Sequence, residues 1–172
     1  MTGEIHEDVD PFATPEDDRD PERRFRGRLA APVTVITAGD GTDRAGMTVS
    51  SIVVSEGEPG KVHFLAAPTV DLLDAVDRTC RFVVHILATR HREISEIFAE
   101  RRPSPGGPFA GVDYEDGQWG PVLTDVADRA YCSAATASAE GYSMLVSADI
   151  DRIETADLDD PLLYFRGRYR QI

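Results

Sequence analysis

A short run of small and hydroxyl-bearing residues has the composition of a ligand-binding segment. It comprises Gly46, Met47, Thr48, Val49, Ser50 and Ser51. Gly46 has no side chain, so another group can approach its backbone closely. Thr48 and Val49 can offer main-chain groups, and the two serine hydroxyls can donate to ring oxygens or to phosphate oxygens. The alternative is an ordinary strand whose polar residues face solvent.

A second candidate ligand segment follows the next predicted strand. Ala66, Ala67, Pro68 and Thr69 lead from that strand into a predicted helix. The first N–H groups of a helix have no partner within it, and the helix dipole adds partial positive charge, so anions bind there. Thr69 is therefore a candidate phosphate donor. It is equally a candidate N-cap, because capping and anion binding use the same groups.

Length and charge restrict the class of protein. The chain has 172 residues, of which 41% are hydrophobic, and this favours a single domain. The formal net charge of -13 argues against nucleic-acid binding, which needs clustered cations. A small anionic ligand remains compatible with this charge, because local N–H and hydroxyl donors are sufficient to bind it.

Cysteine usage and hydropathy indicate the compartment. Cys80 and Cys132 are the two cysteines, and each lies in an apolar stretch far from the other. This favours neither a disulfide framework nor a metal site. The sequence has no basic start followed by an apolar run, and no stretch long enough to cross a bilayer. We expect a cytoplasmic protein with no bound metal and no membrane association.

The N-terminal segment differs in composition from the rest. Residues 1–22 contain nine acidic side chains, one arginine and three prolines. Such a segment cannot bury enough apolar surface to offset its ordering entropy. We expect residues 1–24 to form a flexible acidic arm, or an arm that lies on a partner subunit, and residues 25–172 to form the folded domain.

Short β-branched runs separated by turn residues predict a mainly β fold. The predicted strands are 33–38, 47–55, 61–66, 81–87, 130–139, 143–153 and 162–165. Two helices are predicted, one after Thr69 and one over 90–102, where Ile94, Ile97 and Phe98 have helical spacing. Many strands with few helices favour a closed or nearly closed antiparallel barrel.

Several ordered motifs resemble landmarks of a known family. They are Ala31–Ala38, Gly46–Ser51, Phe82–Leu87, Phe109–Val112, Gly120–Leu123 and Pro161–Tyr169. In this order and spacing they resemble the flavin reductase-like family of FMN-binding split barrels. The resemblance covers the chain from about residue 25 to its end and excludes the acidic arm.

The resemblance implies a homodimer of six-stranded antiparallel Greek-key split barrels with two or three short helices. It implies bound FMN, with FAD as an alternative, and NADH or NADPH as the co-substrate. The implied activity is that of a flavin reductase, with hydride transfer from nicotinamide to flavin. Members often deliver reduced flavin to a separate monooxygenase, which implies such a partner here.

Further site residues are candidates in this setting. His85 stands where the family leads us to expect asparagine, and it is either a flavin contact or a hydrogen-bonded core residue. Arg90 either faces the ribityl phosphate or is a solvated charge. Tyr164, Arg166 and Tyr169 form an aromatic and cationic cluster that either binds flavin or dinucleotide phosphates, or packs a dimer.

Tyr142 is the clearest departure from the family pattern. The chain has Glu140-Gly141-Tyr142-Ser143 where family members commonly have Gly-Asp-His before the strand, and that histidine is associated with the nicotinamide side of the pocket. Tyrosine can stack and donate one hydrogen bond, but it is uncharged near neutral pH. This residue favours, as a second hypothesis, a non-catalytic FMN-binding or flavin-carrier protein. A third is a barrel enzyme with another cofactor, since one fold hosts many activities.

Overall fold

The computed structural model describes residues 20–171, which form three short α-helices and twelve β-strands. The helices are α1 (Pro21–Arg26), α2 (Asp71–Thr79) and α3 (Arg92–Phe98). The strands are β1 (Ala31–Pro32), β2 (Thr34–Ala38), β3 (Ala45–Val49), β4 (Ile52–Ser55), β5 (Lys61–Ala66), β6 (Phe82–Ile86), β7 (Tyr114–Gly117), β8 (Gly120–Leu123), β9 (Arg129–Glu140), β10 (Ser143–Glu154), β11 (Leu163–Phe165) and β12 (Arg168–Arg170). The predicted mainly β fold is confirmed.

Seven strands form one antiparallel sheet in the order β3-β2-β6-β9-β10-β5-β4. The long hairpin of β9 and β10 lies in its centre. Two smaller sheets flank it, β1-β11-β12 and the β7-β8 hairpin. The predicted strand over 162–165 belongs to the first of these small sheets.

The predicted strand over 47–55 is wrong in one respect, since the structure divides it at Ser50–Ser51. Its first half is β3 at one edge of the main sheet, and its second half is β4 at the other edge. A link of two residues can join the two edges only if the sheet curls until they are adjacent. This division raises the strand number of the expected barrel from six to seven. We call Ser50–Ser51 the seam.

Two hydrophobic clusters hold the fold together. The first fills the curled sheet and includes α2, whose Leu72, Ala75 and Val76 are buried at helical spacing. The rings of Phe64 and Phe82 meet there edge to face at 5.4 Å. The second cluster lies between the sheet, α3 and the C-terminal strands.

Both predicted helices begin later than the sequence indicates. Val70, not Thr69, occupies the N-cap position of α2, and no side chain caps this helix, so the interpretation of Thr69 as its N-cap is wrong. A 3-10 turn over Thr89–His91 precedes α3. The helix ends before the predicted Arg102, since Glu100 has a left-handed backbone with φ of 56°.

The expected arm of residues 1–24 falls mostly outside the described residues. Its last part does not, because residues 21–24 belong to α1. Pro21 suits the first turn of a helix, where its missing N–H has no partner to lose. No helix within residues 20–171 is long and apolar enough to span a membrane.

Candidate functional site

The seam is where the structure places the two serines of the predicted ligand segment. The Ser51 hydroxyl donates to the carbonyl oxygen of Leu65 at 3.0 Å, and the Leu65 N–H donates to the carbonyl of Ser51 at 3.1 Å. On the other side, the Thr34 hydroxyl donates to the carbonyl of Val49 at 2.7 Å. Hydrogen bonds therefore hold the chain on both sides of Ser50, which is itself exposed.

The turn from β5 into α2 lies directly beside the seam. Leu65, the partner of Ser51, is followed by Ala66, whose side chain is buried, and then by exposed Ala67, Pro68 and Thr69. The Val70 N–H donates to the carbonyl of Ala67 at 3.4 Å and closes the turn. The exposed Thr69 and the N-terminus of α2 thus follow within six residues of Leu65, the strand residue that is hydrogen-bonded to the seam.

Tyr142 lies at the tip of the β9–β10 hairpin and is fully exposed. Gly141 beside it has a φ of 58°, which a tight turn requires and glycine adopts without strain. Met144 pairs with Ala66 across β10 and β5, so this tip projects past the end of β5. The hairpin therefore brings Tyr142 to the same end of the sheet as the turn into α2.

The first half of the predicted ligand segment is occupied by protein contacts. A Cβ added to Gly46 would lie 2.5 Å from the Phe98 ring, so this glycine accommodates α3. Thr48 is on the same face and donates its hydroxyl to the carbonyl of Ser95 at 2.7 Å. Val49 is buried, and Met47 packs against the core. These residues keep only main-chain groups for a ligand.

The C-terminal aromatic cluster packs on α3. Tyr169 shares a hydrogen bond with the Ser95 hydroxyl at 2.8 Å, and Tyr164 accepts one from the Arg101 guanidinium at 2.6 Å. The two tyrosine rings meet at 5.5 Å. Burial raises the pKa of the Tyr169 phenol, which therefore stays protonated and available as a donor at neutral pH.

Arg166 lies in the turn between β11 and β12, and Arg90 lies in the 3-10 turn before α3. Arg166 has a left-handed backbone, with φ of 52°, in the turn between β11 and β12. The Arg90 guanidinium lies 3.9 Å from the Asp160 carboxylate. Arg90 also lines a cavity between α3 and residues 110–113, together with the acidic residues Glu93, Asp113 and Asp125. That acidic lining would repel a phosphate.

His85 is a core residue with 0% of its surface exposed. Its Nδ1 lies 3.1 Å from the Val35 carbonyl, and the Leu123 N–H donates to its Nε2 at 3.0 Å. This pairing fits a neutral ring with its proton on Nδ1. The full burial contradicts the interpretation of His85 as a flavin contact and agrees with the alternative of a hydrogen-bonded core histidine.

Burial lowers the pKa of His85 to about 3. The unfolded chain binds this proton below about pH 6.5, so the stability contributed by the neutral ring is complete above that pH. It is lost as the pH falls from 6.5 toward 3. We expect this histidine to remove about 2 kcal/mol of unfolding free energy between pH 6.5 and 5, at about 1.4 kcal/mol per pH unit.

Urea unfolding of the wild-type protein and the His85→Asn variant at pH 7.5 and 5.0 checks this expectation. The variant has no titrating group here, so its unfolding free energy should fall less with acidification. The difference between the two proteins in the pH dependence of their unfolding free energy gives the contribution of His85, because both proteins share the same carboxylates. Equal slopes would mean that the ring is not held neutral.

Sequence reasoning missed two residues that organise the site. Ser95 links β3 to the C-terminal strands, since its carbonyl accepts from Thr48 and its hydroxyl meets Tyr169. Phe98 fills the space above Gly46. The helical spacing of Ile94, Ile97 and Phe98 identified one apolar face of this helix, but it gave no sign of which strand the helix covers.

Comparison with known proteins agrees with this fold. The family described as "Flavin reductase like domain" matches residues 26–172. The NADH-dependent FMN reductase AsuE2 of Streptomyces nodosus subsp. asukaensis is 31% identical over 150 residues, covering 86% of this chain and 81% of that protein. The flavin-dependent monooxygenase reductase subunit HsaB of Rhodococcus jostii (strain RHA1) is 29% identical, covering 87% and 77%.

A solved structure extends the likeness to three dimensions. The flavin reductase PheA2 in its native state superposes with a TM-score of 0.79 at 25% identity, covering 90% of this chain and 99% of that chain. The six motifs from Ala31 to Tyr169 all fall within the matched range of residues 26–172. On these matches in sequence and fold, the chain belongs to the flavin reductase-like domain family.

Proposed function

We propose that this protein is an FMN-binding flavin reductase that transfers a hydride from NADH to flavin. The observation that carries the proposal is the exposed Ser50 of the seam, whose neighbour Ser51 is hydrogen-bonded to Leu65 at the end of β5, four residues before the exposed Thr69. The relative AsuE2, named as an NADH-dependent FMN reductase, supports the same activity. FAD and NADPH remain the alternatives for flavin and co-substrate.

The chemistry of the donors fits the ring oxygens and the phosphate of a flavin. Ser50 and Thr69 are exposed hydroxyls, and the first N–H groups of α2 point out of the helix. Together they offer several donors without a fixed cation, which suits a protein of net charge -13. The first turn of α2 also carries Asp71 and Asp74, whose carboxylates stabilise the helix through its dipole but oppose a bound phosphate, so the N–H and hydroxyl donors must outweigh this repulsion.

The residues of this chain bind and orient in the proposed reaction. Bound flavin supplies the redox chemistry, since it accepts a hydride from the nicotinamide ring. Ser50 and the main chain of the seam would contact the ring, and Thr69 would hold the phosphate. The protein would thereby fix the flavin at the end of β5, which is also the end of the sheet where the β9–β10 hairpin exposes Tyr142.

A flavin carrier without turnover is the second candidate, and Tyr142 is the observation that favours it. This side chain is exposed at the hairpin tip, where family members commonly have histidine. A tyrosine there offers stacking and one hydrogen bond but no positive charge for the dinucleotide. Binding of FMN and reduction by NADH are therefore separable properties.

Anaerobic titration of the FMN-loaded protein with NADH tests the proposal. A reductase should lose its flavin absorbance in proportion to added NADH, because each hydride reduces one flavin. The same titration with NADPH compares the two dinucleotides. Bound flavin that keeps its absorbance with both dinucleotides would support the carrier, and a protein that binds neither FMN nor FAD would contradict both functions.

We also propose a monooxygenase as the acceptor of reduced flavin, supported by the relative HsaB, which is named as a monooxygenase reductase subunit.

We propose that the protein is a homodimer, which is supported by exposed Val53 and Leu65 on the same outer face of β4 and β5. A monomer in sedimentation velocity would contradict the dimer. The free thiols of Cys80 and Cys132 suit a cytoplasmic location.

A further inference from the structure

Positive charge is concentrated in two segments of this acidic protein. Residues 21–29 contain four arginines and one glutamate, and residues 163–171 contain three arginines and no carboxylate. The net charge of the whole chain is -13. The two segments therefore have the opposite charge to the protein that carries them.

The fold brings these two segments together. The Arg166 N–H donates to the Gly27 carbonyl at 2.8 Å, which joins the β11–β12 turn to the end of α1. Ala31 pairs with Tyr164, so the chain that leaves α1 enters the same small sheet. We call this surface the arginine face; its members are Arg23, Arg24, Arg26, Arg28, Arg166, Arg168 and Arg170.

Four members of the arginine face have no carboxylate within ion-pair distance among residues 20–171. They are Arg23, Arg26, Arg168 and Arg170, and all four are exposed. Several arginines elsewhere are paired with carboxylates, such as Arg78 with Asp43 and Arg129 with Glu154. Unpaired guanidinium groups on one surface create a local positive potential that attracts an anionic partner.

Exposed apolar side chains lie within the same surface. Phe25 in α1 is 68% exposed and Leu29 just after it is 56% exposed. Arginine and aromatic residues together are enriched where proteins bind other polypeptides. The arginine face therefore suits an acidic peptide that also carries a few apolar residues.

We propose that the acidic segment 1–19 of this chain binds the arginine face. This segment contains seven carboxylates and one arginine, and it also contains Ile5, Val9 and Phe12 as apolar partners for Phe25 and Leu29. It is attached at Asp20, next to the first residue of α1. A short tether gives an effective concentration in the millimolar range, so weak contacts are sufficient for binding.

Proton–nitrogen NMR of the full ¹⁵N-labelled chain tests this proposal. Charge screening shortens from about 30 Å at 0.01 M salt to about 3 Å at 1 M. Amide signals of residues 4–18 should therefore shift between these two conditions. In an Arg168→Gln and Arg170→Gln double variant, which lacks two of the four unpaired arginines, the shift should fall to roughly half.

An Arg78→Gln and Arg81→Gln double variant is the matched control, because it changes the net charge equally at another surface. Its segment 4–18 should respond to salt as the wild-type segment does. The amides of the buried Val35 and Phe64 report whether each variant is folded. Equal responses of the two variants, or no response in the wild-type protein, would overturn the proposal and leave the arginine face for another acidic partner.

Discussion

Replacing Thr69 with glutamate should weaken FMN binding by roughly a hundredfold. The variant removes a hydroxyl donor and places a negative charge beside the proposed phosphate site at the start of α2. Thr69 is exposed and makes no capping hydrogen bond, so the fold should be unaffected. Flavin fluorescence titration of the purified protein measures the dissociation constant, and urea unfolding without flavin confirms the stability.

Three further variants separate the two causes of weaker FMN binding, which are the lost hydroxyl donor and the added negative charge. Thr69→Ser keeps the donor and should bind FMN as the wild-type protein does. Thr69→Val removes only the donor and should lose roughly tenfold, the usual effect of one hydrogen bond to a charged group. Thr155→Glu adds the same charge at an exposed loop residue and should have no effect. Wild-type affinity in Thr69→Glu would place the phosphate elsewhere.

Replacing Gly46 with alanine should destabilise the protein by about 1–3 kcal/mol. The added Cβ would lie 2.5 Å and 2.8 Å from two atoms of the Phe98 ring, and that ring is 2% exposed and has little room to move. Either α3 must shift from β3, or the ring must leave its preferred rotamer. Urea unfolding of the flavin-free protein measures the change in unfolding free energy.

A second substitution tests whether Phe98 causes that effect. In a Phe98→Leu background the alanine at residue 46 should cost less, because the smaller side chain leaves space for the Cβ. Gly27→Ala is the control, since its Cβ would meet only the Arg23 and Arg24 carbonyl oxygens at 3.5 Å, an ordinary contact. The same cost in both backgrounds would show that the ring does not limit residue 46.

The sequence predicted the positions of the strands more reliably than it predicted which strands form the edges of the sheet. The strand over 61–66 and most of the strand over 33–38 follow from β-branched runs between turn residues, and both are confirmed. The break at Ser50–Ser51 had no such signal, because serine interrupts the apolar pattern without the conformational restriction of glycine or proline. Only the pairing of β3 with β2 and of β4 with β5 reveals it.

Tertiary packing determines the roles of residues for which the local sequence pattern allowed two interpretations. Gly46 was correctly identified as a site of close approach, but the approaching group is the Phe98 ring. His85 lies in an apolar strand, and sequence could not say whether its two nitrogens find backbone partners; Val35 and Leu123 supply them. Such contacts join residues far apart in the chain, which residue spacing alone does not encode.

The seam also limits how far the barrel can open. Val49 and Ile52 are separated by three peptide links, so their Cα atoms can move apart by at most about 11 Å. The edge strands β3 and β4 are therefore held close together at Ser50–Ser51. The gap between them can widen more with increasing distance from this link, so a ligand bound at the seam occupies the part of the gap whose width changes least.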